Sequence, residues 1–265
     1  MKLLMNEREF WPALERDIAA AQEAFEVQTL SLDADAAGWK LVEALMMSRA
    51  QRKRVIVDRL SSQLRQLGGA GVQVRFSHPV GALLSRTPAR SLKKTITIDG
   101  HVSYFGGSNF SDPWPELVVR VESQRIAEAL AGDFETSWRG RQSGCYVRAD
   151  GIELHTLAGN SNQAFDMLFT RLHLARTAIM VHSSYLVLPF RHHLDRAAER
   201  GVKVTVMRPE LSHCKAILID QSCLVLGSAN VDGRAHQAVL AYITDPAAIA
   251  QFSSRVLQNE LVSFS

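Results

Sequence analysis

The sequence has few of the features that mark special protein classes. Three cysteines in 265 residues, Cys145, Cys214 and Cys223, are an odd number without metal-ligand spacing. Neither a disulfide framework nor a zinc site is therefore expected, and buried thiols are. No apolar run reaches the roughly 18 residues a spanning helix needs, and the opening MKLLMNEREFW lacks the apolar stretch of a secretory signal. The expected compartment is the cytoplasm, with peripheral contact to the inner face of the membrane as a further expectation. A formal charge of +3 is too small to point to nucleic acid by itself, although it suits anionic surfaces. Apolar residues are plentiful at 46%, enough to bury a substantial core in one large domain or two small ones.

Helix and strand signals alternate along the chain, which predicts an α/β fold. Asn6 is expected to open the first helix, with Glu9 as its capping-box partner and Phe10, Leu14 and Ile18 on its buried face. FEVQTLSL reads as a strand, GWKLVEALMMSRA as an amphipathic helix and RVIVDRL as a buried strand. The helix LSSQLRQL and the strand VQVRF follow. RGRQSG, at 139 to 144, reads as a linker, dividing the chain into residues 1–140 and 141–265. A second block repeats the pattern. It has a helix over Phe165 to Leu174, the strand TAIMVHSSYLVL, the helix FRHHLDRAAER closed by Gly201, and the strand VKVTVM.

The repetition becomes specific when SLKKTITIDGHVSYFGGSN, from Ser91, is laid over SHCKAILIDQSCLVLGSAN at an offset of 121 residues. Lys94 then falls on Lys215, Asp99 on Asp220, Gly106 on Gly227 and Asn109 on Asn230. Such a repeat predicts two similar units packed about a pseudo-twofold axis. The period of a strand makes His213 and Lys215 point one way and Cys214 the other. Asp220 ends that strand and braces the turn. The Gly-Ser-x-Asn that follows brings a hydroxyl and a carboxamide to the same point. An imidazole, an ammonium and an amide together suit a tetrahedral phosphate, because imidazole attacks phosphorus or protonates a leaving oxygen while the others stabilise charge on the equatorial oxygens.

At these residues the sequence resembles the phospholipase D superfamily, whose signature is H-x-K-x-x-x-x-D followed by G-S/G-x-N, once in each of two halves. The I-D-G, G-G-S-N and G-S-A-N segments look most like the bacterial cardiolipin synthase branch. The resemblance implies two pseudo-twofold-related α/β halves, each a mixed β-sheet flanked by helices. It also implies phosphoryl transfer without a metal or other cofactor, through a phosphohistidine. Carried over residue by residue, it makes His213, Lys215, Glu116 and Asp220 the catalytic group, and gives Lys94, Asn109, Asn230, Ser228 and Ser108 to the substrate phosphate. The partner implied is a phosphatidylglycerol-like phospholipid or another phosphodiester, with nucleic acid the lesser expectation.

Three departures qualify this. Where the family has its first histidine, this chain has Leu92, which can neither attack phosphorus nor carry a proton. Family members place an acid after each G-x-N segment to orient the opposite histidine. Glu116 is the expected partner of His213, and Ala238 falls at the corresponding place in the second half, although His236 or Gln237 lie close enough to take it. Finally, eight residues separate Val206 from Lys215, against thirty-six between Val57 and Lys94, so a helix and a strand are expected to be missing from the second half and its sheet is in doubt.

Plainer readings stand beside these. Asp99 and Asp220 serve as structural residues, and His78, His101 and His182 as ordinary loop or core residues. The basic run RAQRKR caps a helix C-terminus or meets anionic headgroups. Leu83, Leu84 and Trp114 read as packed loop residues or as contacts with a bilayer interface. Three functions follow. One is a phosphatidyltransferase of the cardiolipin synthase type, with activity reduced or lost. The second is a phosphodiesterase or nuclease of the same superfamily, and the third a non-catalytic protein that binds anionic phospholipid.

Overall fold

The computed structural model describes residues 1–33, 35–57, 71–77, 91–107, 117–142, 144–158, 163–183, 188–207, 214–229 and 237–262. The first block holds β1 (Lys2–Leu4), α1 (Glu7–Ala20), β2 (Ala24–Thr29), α2 (Ala36–Met47), β3 (Arg52–Val57), β4 (Gln73–Phe76), β5 (Thr95–Ile98), β6 (Val102–Gly106), β7 (Val118–Glu122) and α3 (Gln124–Trp138). The second holds β8 (Cys145–Ala149), β9 (Ile152–Thr156), α4 (Gln163–Leu174), β10 (Ala178–Ser183), α5 (Leu188–Glu199), β11 (Lys203–Met207), β12 (Lys215–Ile219), β13 (Cys223–Gly227), β14 (Val239–Ile243) and α6 (Pro246–Val262). Among the described residues no helix is long and apolar enough to cross a membrane.

These strands form two mixed seven-stranded sheets, ordered β1-β7-β6-β5-β2-β3-β4 and β11-β10-β12-β13-β14-β9-β8. The run β7-β6-β5-β2-β3 and the run β14-β13-β12-β10-β11 have the same connectivity and the same parallel and antiparallel pairings. Among the described residues the second sheet has no counterpart of β4 beside β11, as the spacing predicts. The sheet is nevertheless as wide as the first, because the hairpin β8-β9 adds a strand at the opposite edge.

Alternation along the strands sorts the apolar side chains into three layers. Phe25, Val27, Val55 and Ile96 face α1 and α2, and Ile217, Ile219 and Val225 face α4 and α5. Between the sheets, Phe105 and Val119 pack with Leu218, Leu224 and Leu226, with Ile126 and Leu130 of α3, and with Phe252 of α6.

Local signals explain much of this. Asn6 caps α1 by accepting from Glu9 N–H at 3.0 Å, while Glu9 accepts from Met5 N–H at 3.0 Å, one residue earlier than a strict capping box. Phe10, Leu14 and Ile18 are buried as expected. Asp17 on the same helix accepts from the Tyr104 hydroxyl and, at 2.6 and 2.8 Å, from the Arg120 guanidinium. Burial first and Asp17 second push the Tyr104 hydroxyl well above its ordinary pKa. The basic run divides: Lys53 donates to Ser48 O at the end of α2, whereas Arg54 is a buried strand residue paired with Glu26 and Glu135. Of the strand expected over TAIMVHSSYLVL, Ala178–Ser183 is described as strand, residues 184–187 lie outside the described residues, and α5 begins two residues before Phe190. LSSQLRQL lies outside the described residues.

Two aspartates hold corresponding turns. Asp99 and Asp220 take left-handed backbone conformations, with φ of 50° and 51°. Each carboxylate accepts from three consecutive backbone N–H groups at the start of a neighbouring strand. The donors are Gln22, Glu23 and Ala24 to Asp99 and Arg176, Thr177 and Ala178 to Asp220. Burial tends to raise the Asp220 carboxyl. The backbone N–H groups of Thr177, Arg176 and Ala178 and the Thr177 hydroxyl outweigh it, and hold the carboxyl below the ordinary carboxylate value.

A buried ion pair of the first block is joined to the second block by a hydrogen bond. Lys93 is 0% exposed and donates to both carboxylate oxygens of Asp133 on α3 at 2.8 Å. Asp133 also accepts from the Thr156 hydroxyl on β9 at 2.8 Å, and that hydroxyl accepts from Cys145 N–H at 2.8 Å. The first motif segment is thus tied through α3 to the second sheet.

Breaking this pair from one side leaves a buried charge without its partner. Lys93→Met or Asp133→Leu should each lower stability to urea by about 3–5 kcal/mol, whereas the double variant should recover much of that loss. Additive losses would show that the pair does not act as a unit. Asp220→Asn should cost about 1–2 kcal/mol near neutral pH through weakened hydrogen bonds. Because the folded-state pKa is depressed, that stabilisation is present above the unfolded carboxylate pKa and is lost as pH falls through the folded value. The difference between wild type and variant should therefore shrink in acid, and a gap independent of pH would contradict the role given to the carboxylate.

Candidate functional site

Each sheet presents a motif lysine at one end. Lys94 immediately precedes β5, is buried, and donates to Gly107 O just beyond β6. Lys215 opens β12 directly across from Ser183, the last residue of β10. The register of β2 on β5, extended one position past Gln28 and Thr95, sets Thr29 opposite Lys94 in the same way. Both lysines therefore lie beside a buried hydroxyl residue at a strand end.

The glycines of the two G-x-N segments are required by close approach. A Cβ on Gly106 would lie 2.3 Å from Leu117 O, and one on Gly227 would lie 2.0 Å from Val239 O. Ser228 continues this contact, donating through its N–H to Val239 O at 2.9 Å and accepting at its hydroxyl from Val239 N–H at 3.0 Å. Ser228 is buried, so its described contacts hold the ends of β13 and β14 together.

The sheets fix which residues correspond. Gly106 pairs with Val118 and Gly227 with Leu240, so position 116, two before Val118, corresponds to Ala238, two before Leu240. Ala238 is buried in the cluster between the second sheet and α4 and α5, and Leu92 packs against that cluster. Leu92 N–H donates to Gln237 O at 2.7 Å, and Ser91 forms a parallel bridge with Gln237. The Ser91 hydroxyl accepts from the Gln28 carboxamide at 3.3 Å. The first motif thus crosses to the start of β14, which lies two strands from β12 and at the same end as Lys215. Two strand spacings are about 10 Å.

Among the described residues the two lysines line separate small cavities. Lys94 lies with Phe10, Tyr104 and Val118, and Lys215 with Leu168, Ser183 and Ala229. His213, Glu116, Asn109, Asn230 and Ser108, which sequence assigns to the site, lie outside the described residues, as do His78, His236, Leu83, Leu84 and Trp114. Asp220 is described. It stands at the far end of β12 from Lys215, roughly 15 Å away at strand rise, where its hydrogen bonds brace the turn. That geometry makes it a positioning residue and keeps it from the lysine end. His182 is a strand residue beside Ala216, and His101 an exposed turn residue. Cys214 and Cys223 are buried, and burial raises the Cys223 thiol. Among the described residues no cluster of three metal-ligating side chains occurs.

Sequence reasoning passed over Thr29, Ser183 and any contact of Ser91, and considered Gln237 only as a stand-in for the second acid. One signal was available, since the two aligned stretches both open on serine, Ser91 and Ser212. The contribution of Gln237 depends on a crossing between the two sheets that no local pattern encodes.

No family model matches the sequence. The chain is 25% identical over 299 aligned residues to cardiolipin synthase A of Pseudomonas syringae, covering 88% of this chain and 62% of that protein. It is 25% identical over 243 residues to cardiolipin synthase B of Escherichia coli K12, covering 78% and 59%. The chain therefore spans about three fifths of the length of these relatives. The fold matches the crystal structure of phosphatidylserine synthase from Haemophilus influenzae with a TM-score of 0.71 at 11% identity, over 98% of this chain and 85% of the other. It also matches polyphosphate kinase from Porphyromonas gingivalis with a TM-score of 0.70 at 14% identity, over 98% and 47%. Taken with the paired sheets and the motif lysines at their ends, these relationships make the chain similar to cardiolipin synthases in sequence and to phosphatidylserine synthase in fold.

Proposed function

We propose that the chain is a phosphatidyltransferase of the cardiolipin synthase type in which one of two half-sites has been filled, so that His213 works without a second motif histidine. Residues 1–140 and 141–265 form the two halves. Lys94, Asn109 and Ser108 from one half and Lys215 and Asn230 from the other reach the phosphate of a phosphatidylglycerol-like donor from the two small cavities that the lysines line, and Glu116 orients His213. The observation that carries the reading is the packing of Leu92 against the apolar cluster that contains Ala238. The imidazole and its acid are both replaced there, and apolar contact takes their place. Supporting it are the cardiolipin synthase relatives and the Ser91–Gln237 bridge, which sets the first motif at the end of the second sheet where Lys215 lies.

In the transfer, the phosphorus–oxygen bond to the first alcohol breaks and a bond to the acceptor oxygen forms. The acceptor's proton ends on the leaving alcohol. Two histidines would divide attack and proton transfer between them. A single imidazole performs one of these tasks and leaves the other to water, and the loss of positioned acid–base catalysis costs about 10²–10⁴-fold in rate. The lysines and carboxamides continue to stabilise the equatorial oxygens. A second reading, binding of anionic phospholipid without turnover, draws on the same filled half-site.

The two readings separate on phosphatidylglycerol in mixed micelles. Slow transfer that disappears in His213→Ala is expected, and in Leu92→His/Ala238→Glu a rise of at least about 10²-fold should follow if the half-site is rebuilt. That double variant should also be less stable by about 2–4 kcal/mol, since it places polar groups in an apolar cluster. Lipid binding with no turnover in any variant would favour the second reading. Turnover indifferent to His213, or faster on single-stranded DNA than on lipid, would overturn the first.

A further inference from the structure

Helices α2 and α5 hold equivalent places in the two sheets, each following the strand paired to a motif strand and leading into its parallel neighbour. Both are 12 residues long. Their buried sides match in position, with Gly38, Val42 and Leu45 answering Phe190, Leu194 and Ala197. Their outer sides differ. Where α5 exposes Arg191, Ala198 and Glu199, α2 exposes Trp39, Met46 and Met47, at 56%, 53% and 78%. Three of the seven large apolar side chains exposed among the described residues thus lie on this one helix, in places where its counterpart shows that the fold does not need them.

Trp39 and Met46 are seven positions apart, which puts them about 20° from each other around the helix and about 10 Å apart along it. Met47 widens the stripe at its C-terminal end. There the chain turns into β3 and adds cations, since Arg49 and Arg52 are exposed and Lys53 is half-buried with its ammonium on Ser48 O. Lys40 flanks the stripe, paired with Glu15 at 3.1 Å. Glu43, within the stripe, is its one acid.

We infer that the outer face of α2 is a docking surface for an anionic lipid bilayer, with Trp39, Met46 and Met47 entering the interface and Arg49, Arg52 and Lys53 meeting headgroup phosphates. An apolar stripe bordered by cations is the arrangement that binds such a surface, through buried apolar area together with attraction to anionic lipid. Tryptophan suits the headgroup level because its ring is both apolar and polar. A nucleic acid would use the cations and gain nothing from the two methionines. The inference goes beyond the proposed reaction, because docking is read without turnover.

The test is flotation with vesicles of phosphatidylcholine alone or mixed with phosphatidylglycerol, beside sedimentation velocity without lipid. The chain should float with the anionic vesicles and much less with the neutral ones. Met46→Gln/Met47→Gln should weaken partitioning by about tenfold or more, Arg49→Glu should weaken it severalfold, and Glu43→Gln should strengthen it. All these positions are exposed, so folding is not at risk. Turnover on soluble short-chain phosphatidylglycerol, measured in parallel, should be unchanged by the double methionine variant, so that loss of docking and loss of chemistry are read separately. Failure of the parent chain to float, or unchanged flotation of the double variant, would overturn the inference. So would a dimer in the parent that the double variant dissociates, which would give the face to a second copy of the chain.

Discussion

The buried pair of Lys93 and Asp133 fixes the relation between the motif and the two sheets. Lys93 lies between Leu92 and Lys94, so whatever holds its ammonium also sets where the flanking side chains stand. A fully buried ammonium is tolerable only beside a carboxylate that is itself satisfied, and the hydroxyl of Thr156 completes Asp133. The position corresponding to Lys93 in the second motif is Cys214, buried among apolar residues between the sheets. One motif is therefore anchored by charge and the other by packing.

Much of the fold was legible because its signals are local. The cap at Asn6, the apolar faces of α1 and α2, and the turn at Gly201 follow from residues close in sequence. The repeat was also legible, since Gly106 and Gly227 tolerate no side chain beside Leu117 and Val239, and Asp99 and Asp220 each collect a row of backbone N–H groups. Such requirements preserve residue identity in both halves. What was not legible depends on partners far away in sequence. Ser91 and Gln237 meet across 146 positions, and Lys93 meets Asp133 across 40. The full width of the second sheet was not legible for a similar reason, because a short connection after β11 says nothing about the hairpin β8-β9 at the other edge. Of the candidate site, the lysines, Leu92 and Ala238 lie within the described residues, whereas His213, Glu116 and both asparagines do not.

The scaffold is separable from the chemistry. Asp220 belongs to the motif by sequence, yet it acts at the opposite end of β12 from Lys215, on the start of β10. Ser228 likewise spends its described hydrogen bonds on Val239. These residues would be needed by any chain that builds these sheets, whether or not it turned over substrate. Their presence therefore speaks for the fold and not for a reaction.

That separation explains why a half-site would be lost as a pair. A carboxylate at position 238 with a leucine at 92 would lie in an apolar cluster without an imidazole to meet it, and an unpaired buried charge is costly. An imidazole at 92 opposite Ala238 would lack the acid that orients it and supports its charged form. Either mixed state carries a penalty that the doubly polar and the doubly apolar states avoid. Leu92, half-buried against the cluster that contains buried Ala238 and joined to it through the backbone of Gln237, forms with it the doubly apolar state, in which the contact between the two sheets is kept by packing.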